Sequence, residues 1–149
     1  FLYFTTGIRC VLTKKPKQNR LAVRKSDLGL DRTIKATRIY NGTDQKSHFE
    51  EFEIPLNDEG KIGFLSERKK ASGVIFRETT GDYDYGWHNA PERQFVIVLE
   101  GSVEITVGDG TTKVFSDGQI FLAEDTEGQG HKSRAINNKP RKSIFVTLD

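Results

Sequence analysis

Eight consecutive residues near the middle of the chain read Gln94-Phe95-Val96-Ile97-Val98-Leu99-Glu100-Gly101. β-branched and aromatic side chains fill this stretch, and it ends on Glu100-Gly101, a pair typical of a tight turn between two strands. His88 lies six residues upstream, and the run Gly128-Gln129-Gly130-His131 lies about thirty residues downstream. The stretch therefore predicts a central strand with a histidine-bearing segment on either side of it along the chain.

Similar short apolar runs recur from residue 34 onward, separated by Gly and Asp every eight to twelve residues. This spacing is typical of an antiparallel barrel or sandwich, and no long helix is predicted. Asp109-Gly110 and Asp117-Gly118 provide further turns between the runs. The predicted strands are residues 34–40, 48–56, 63–65, 73–78, 94–99, 103–107, 113–115, 119–123, 132–136 and 142–148.

The composition places the chain among globular proteins. Its 149 residues are enough for one domain, and 35% of them are hydrophobic. No apolar run approaches the roughly 18 residues of a membrane span, so we expect no membrane association. Cys10 is the one cysteine, so no disulfide within the chain is possible. These features favour the cytoplasm or an organelle interior.

Charge is unevenly divided along the chain. Residues 1–38 contain ten Lys or Arg and two Asp, about +8, whereas residues 39–149 contain thirteen against nineteen acids, about −6. We therefore expect a basic N-terminal arm or linker at residues 1–33 and one domain at residues 34–149. A solvated tail is the favoured interpretation of the arm, with a targeting remnant or a polyanion contact as alternatives. No aromatic residue interrupts the cations of residues 14–25, so nucleic-acid binding is not expected.

The segment from Trp87 to Gly101 resembles the first motif of the cupins, in which a His-x-His pair precedes a glutamate, six residues and a glycine. Six residues separate Gln94 from Gly101. In this register His88 matches the first histidine, whereas Ala90 and Gln94 stand where the second histidine and the glutamate occur. The resemblance therefore retains one of the three metal ligands of this motif.

The second cupin motif is similar to Gly118 followed by residues 126–131, with His131 at the position of the last histidine. The resemblance covers about residues 34–148, and the chain is similar to a subgroup of small single-domain cupins. It implies an all-β fold, the cupin double-stranded β-helix, which is an antiparallel jelly-roll barrel. Small cupins commonly pair through edge strands, so a homodimer is expected.

Cupins of the usual pattern bind a divalent metal such as Fe, Mn, Ni or Zn through three histidines and a carboxylate. Here an amide and an alanine replace two of these ligands, and an amide oxygen is a weak ligand for a transition metal. A metal bound by His88 and His131 then needs a carboxylate from Glu92, or His48 from a neighbouring strand, to complete the site. Both a metal-bound and a metal-free protein are consistent with the sequence.

Two functions remain open from the sequence. In the first, the protein is a small-molecule enzyme in which His88 and His131 act as metal ligands, or as acid and base with Glu92. Isomerisation, cyclisation, elimination and oxygenation are all compatible with these roles. In the second, the barrel is a non-catalytic binding or sensing module for a small organic acid or sugar. In either function the residues predicted to contact the ligand are Gln94, Tyr85, Trp87 and His48.

Alternation along a strand supports a shared site. If the strand continues through Pro91, then His88, Glu92 and Gln94 line one face. Each candidate also has a structural alternative, because His88 is equally typical of a cavity rim, Glu92 of the surface, and Tyr85 and Trp87 of ordinary packing. The acidic run around Asp125 is expected to be a solvated loop or a lid.

Overall fold

The computed structural model describes residues 32–149, so the predicted basic arm lies outside the described residues except for its last two positions. This part of the chain contains eleven strands, a 3-10 turn at Gly60–Ile62 and no α-helix, which confirms the all-β prediction. No helix in residues 32–149 has the length and apolar character needed to cross a membrane. The strands are β1 (Arg32–Asn41), β2 (Ser47–Asp58), β3 (Phe64–Leu65), β4 (Ala71–Thr79), β5 (Asp84–His88), β6 (Gln94–Glu100), β7 (Val103–Thr106), β8 (Thr112–Phe115), β9 (Ile120–Glu124), β10 (His131–Ala135) and β11 (Arg141–Leu148).

The strands form two sheets. A seven-stranded sheet has the order β3-β2-β1-β9-β6-β11-β4, and a four-stranded sheet has the order β5-β10-β7-β8. Paired strands are antiparallel except for β1 and β9, which are parallel. The buried core draws on strands of both sheets and contains Ile39, Val96, Val98, Val103, Ile105, Val107, Phe115 and Phe121. Two packed sheets around one core are the arrangement of a jelly roll.

Period-two alternation explains which side chains enter the core. In β6, Gln94, Val96 and Val98 are buried, whereas the intervening side chains are more exposed. Gly101 and Gly110 adopt φ values of 84° and 92°, so these turns have the left-handed backbone conformation that their Gly residues were expected to supply. The ten predicted strands are all present, with ends shifted by one or two residues.

One strand was not predicted. β5 contains Asp84 and Gly86, residue types that are depleted in strands, yet it forms by pairing with β10. The chain then bends at Pro91 and Glu92 before β6 begins. The condition for a continuous face from His88 to Gln94, a strand that runs through Pro91, is therefore not met, because alternation stops at the end of β5 and starts again at β6. Glu92 lies in the bend and is exposed.

Candidate active site in the barrel

A cavity of about 410 Å³ lies in the barrel and is lined by residues from both sheets. Its inner wall is apolar and includes Val96, Ile105 and Phe121, which also belong to the core. Its polar lining contains the two motif histidines together with Gln94, Tyr83, Arg77 and Arg141. A concave, mostly apolar pocket with a few converging polar groups is typical of a small-molecule site.

Strand pairing brings the two motif histidines together. His88 at the end of β5 is directly opposite His131 at the start of β10. The two ring centroids are 4.4 Å apart, and only 7% of His131 is exposed. Two imidazoles separated by 43 positions in the sequence therefore face one cavity.

A hydrogen bond at Nδ1 fixes each ring. His131 Nδ1 lies 2.6 Å from Asp125 Oδ2, and His88 Nδ1 lies 2.7 Å from the carbonyl oxygen of Gly86. A carbonyl oxygen only accepts, so His88 carries its ring proton on Nδ1. Burial lowers the pKa of His88 from its ordinary value, against the opposing effect of the Gly86 carbonyl. No residue within 32–149 hydrogen-bonds Nε2 of either ring, which leaves both nitrogens available to a ligand.

Asp125 is a site residue whose role was not predicted from the sequence. Its side chain is fully buried, whereas the acidic run around it was expected to be solvated or a lid. The backbone carbonyl of Asp125 accepts hydrogen bonds from the Ala90 amide and from Asn89 Nδ2 at 3.2 and 3.1 Å. These hydrogen bonds join the segment after β5 to the segment before β10. The sequence signal that could have identified Asp125 was a carboxylate six residues before a motif histidine.

Close backbone contact fixes the spacing of the two histidines. Gly130 has φ 72°, and a Cβ atom at this position would lie 2.1 Å from the carbonyl oxygen of His88. Ser47 Oγ donates a hydrogen bond of 2.6 Å to the carbonyl oxygen of Gly130. A side chain at residue 130 would displace one histidine-bearing strand from the other.

The structure separates the predicted ligand-contacting residues into two groups. Gln94 is buried and lines the cavity, and the ring of Tyr85 lies 4.1 Å from that of His88. Trp87 is 43% exposed, is not among the residues lining the cavity, and contacts the ammonium group of Lys132. Glu92 also lies outside the lining, because the bend before β6 turns it to the surface.

His48 lies away from the cavity. Its Nε2 is 3.0 Å from Asp44 Oδ1 and its Nδ1 is 3.0 Å from Asp109 Oδ2. The hydrogen bond to Asp44 raises the pKa of His48, and the bond to Asp109 adds to this effect. Both ring nitrogens already have carboxylate partners at the surface, so His48 does not join the other two histidines.

The donor set does not fit a first-row transition metal. Within residues 32–149, no group of three or more His, Cys, Asp or Glu side chains is arranged to hold a metal ion. A catalytic zinc site ordinarily has three protein ligands, whereas this cavity offers two imidazoles and the amide of Gln94. Asp125 Oδ2 contacts His131 Nδ1 and thus orients a histidine. The expected third ligand, Glu92, lies outside this cavity.

The two sheets, their strand order and the cavity between them define a jelly-roll barrel. No family model and no curated protein matches the chain. Among solved structures, a conserved protein of unknown function from Streptococcus pyogenes is 22% identical, with a TM-score of 0.43 over 57% of this chain and 69% of that chain. The cupin domain of Cnp3 from Schizosaccharomyces pombe is 13% identical, with a TM-score of 0.43 over 83% of this chain and 88% of that chain.

A sugar 3,4-ketoisomerase, QdtA from Thermoanaerobacterium thermosaccharolyticum, was solved in complex with TDP. It is 17% identical, with a TM-score of 0.39 over 64% of this chain and 79% of that chain. Identities and TM-scores of this size carry no argument about the activity of this chain.

Proposed function

We propose that the protein is a cupin-type enzyme that moves a proton on a small molecule bound in the barrel, with His131 as the acid and base. The observation that carries this proposal is the pair of imidazoles in one cavity, each held at Nδ1 and open at Nε2. Isomerisation by removal and return of a proton beside a carbonyl group is the reaction class that this arrangement supports best.

Asp125 fixes the tautomer of His131 that proton transfer requires. By accepting the Nδ1 proton of His131, it keeps the Nε2 lone pair free to remove a proton from a substrate carbon. The imidazolium that forms is stabilised by the buried carboxylate and returns the proton to the neighbouring carbon. In the same step the proton of the adjacent substrate hydroxyl passes through His88 Nε2 to the oxygen that was the carbonyl oxygen, so that a new carbonyl group and a new hydroxyl group form. His88, held neutral by the burial that lowers its pKa, accepts a hydrogen bond at Nε2 from a substrate hydroxyl. The amide of Gln94 donates to the substrate carbonyl oxygen, on which negative charge develops.

The test is deuterium exchange in D2O, followed by proton NMR, with dihydroxyacetone, pyruvate and dihydroxyacetone phosphate as probes. We expect wild-type protein to accelerate carbon–hydrogen exchange in at least one probe. His131→Ala and Asp125→Asn should each lower the exchange rate by about 10²-fold or more. The first substitution removes the base, and the second removes the carboxylate that holds the base in the required tautomer. Glu78→Gln, at an exposed position on β4, is the control and should leave the rate unchanged. Equal rates in wild type and His131→Ala, or no acceleration of any probe, would overturn catalysis by proton transfer.

A non-catalytic binding module for a small organic acid or sugar is the second candidate function. The observation that favours it is the replacement of two family ligands by Ala90 and Gln94, which removes the usual metal chemistry from the barrel. Saturable binding of one of the three probes without any exchange would support this function in place of the enzyme.

A further inference from the structure

Arg141 is a buried cation with no acidic partner in residues 32–149. It begins β11, lines the cavity and is only 4% exposed. Its Nε has no hydrogen-bond partner, and no acidic side chain in the described part of the chain forms an ion pair with it. Burial lowers the pKa of Arg141 to about 10, so the guanidinium remains charged at neutral pH. The fold therefore holds a positive charge whose hydrogen bonds are incomplete.

A second cation lies beside it. In the pairing of β4 with β11, Arg77 is opposite Ser143 and Arg141 is opposite Thr79, so the two arginines are diagonal neighbours on one face of the sheet. Both line the cavity, and their guanidinium carbons lie 5.0 and 5.7 Å from the ring centroid of Tyr83. Repulsion from Arg77 also contributes to lowering the pKa of Arg141.

Neighbouring cations are unfavourable in an enclosed site. An unpaired buried charge ordinarily destabilises a fold strongly, and contact with the face of Tyr83 offsets only part of this effect. Arg38, by contrast, lies on β1 and pairs with both Glu50 and Glu124. An oxyanion between Arg77 and Arg141 would satisfy the free donors and remove the repulsion, because planar guanidinium groups match carboxylate and phosphate oxygens.

We propose that Arg141 and Arg77 form an oxyanion-binding subsite, which holds the carboxylate or phosphate group of the molecule that occupies the barrel. The inference rests on the proposed use of this cavity and adds the chemical class of its ligand. Tyr83 connects the two ends of the cavity, because its hydroxyl lies 2.7 Å from Ser133 Oγ, two residues after His131 on β10. The ligand therefore carries an anionic group at the arginines and its reacting carbon at the histidines.

Isothermal titration calorimetry of the full 149-residue chain at constant ionic strength tests the subsite, with inorganic phosphate, acetate and malonate as probes. We expect saturable binding of at least one anion, and the stronger probe class identifies a phosphate or a carboxylate ligand. Arg141→Met and Arg77→Met should each weaken that binding by about tenfold or more, as expected for lost hydrogen bonds to a charged group. Arg68→Met removes the same charge from an exposed position outside this cavity and should leave binding unchanged.

Thermal unfolding separates a ligand subsite from a structural role. Without added anion, Arg141→Met should unfold at the same temperature as wild type or higher, because it removes an unpaired buried charge. Undiminished anion binding in both arginine variants, or no binding of any probe to wild type, would overturn the subsite. His131→Ala should still bind the anion. In the wild-type protein, anion binding without proton exchange would overturn the proposed function alone, and proton exchange without anion binding would overturn the subsite alone.

Discussion

Histidines in the cavity and on the outer surface of the barrel have opposite electrostatic environments. His48 lies at the surface between Asp44 and Asp109, and hydrogen bonds to these carboxylates raise its pKa. His88 lies beside His131 in the cavity, where burial lowers its pKa. The same residue type is therefore favoured as a cation in one region and as a neutral base in the other. The groups around the ring decide its role.

The arginines differ in the same way. Arg38 is paired with Glu50 at 2.9 Å and with Glu124, whereas Arg141 has no acidic partner in the described part of the chain. Side chains whose partners lie within the fold stabilise it, and those left unpaired in the cavity remain available to a ligand. In this molecule, a charged side chain with a partner of opposite charge has a structural role, and one without such a partner is a candidate functional residue.

The largest effect is expected where the cavity depends on a backbone contact. Gly130→Ala should lower the free energy of unfolding by roughly 2–5 kcal/mol, because the new Cβ meets a backbone oxygen at a positive φ. Gly110→Ala is the matched surface control, since Gly110 has φ 92° and open space around its Cβ position. It should cost only about 1–2 kcal/mol. Urea unfolding measures both values, and equal losses would show that the contact with His88 contributes nothing.

An intermediate effect is expected from pH, with opposite signs for the two histidines. The pKa of His48 is raised on folding, so its stabilising contribution is present below the ordinary value of 6.5 and is lost as pH rises through the folded pKa. The pKa of His88 is lowered, so the stability associated with its neutral form is present above 6.5 and is lost as pH falls through the folded pKa.

Urea unfolding at about pH 5 and about pH 8 measures this difference, because the two values lie on either side of the histidine pKa range. His48→Gln should destabilise the protein more at the lower pH. His88→Gln should show a smaller loss of stability than wild type when the pH is lowered. If both variants change with pH in the same direction, the contrast between the two environments is wrong.

The smallest effect on folding is expected at an apolar part of the outer surface. β4 is an edge strand, and Phe76 on it is 76% exposed. If the expected homodimer forms through this edge, Phe76→Asn should yield a monomer in sedimentation velocity while changing monomer stability by less than about 0.5 kcal/mol. Val114→Asn, on β8 of the other sheet, is the control and should remain dimeric. A wild-type protein that sediments as a monomer would exclude the dimer.

Local pattern was sufficient to predict most of the fold. Alternation placed Val96 and Val98 inside, and Gly101 ended the central strand where a positive φ was required. Local pattern failed at β5, whose Asp84 and Gly86 disfavour a strand until β10 pairs with it. It failed again at Glu92, because a bend interrupts the alternation on which its predicted position depended.

The sequence by itself determined the class of fold and the two motif histidines, because strand period, turn residues and motif spacing are properties of neighbouring positions. Only the tertiary structure decided that Asp125 orients His131, that His48 stays at the surface and that Arg141 has no acidic partner in residues 32–149. Those outcomes depend on strand register and sheet packing, which bring together residues far apart in the chain. Pairing between distant side chains is a property of three-dimensional proximity, and period-two alternation carries no information about it.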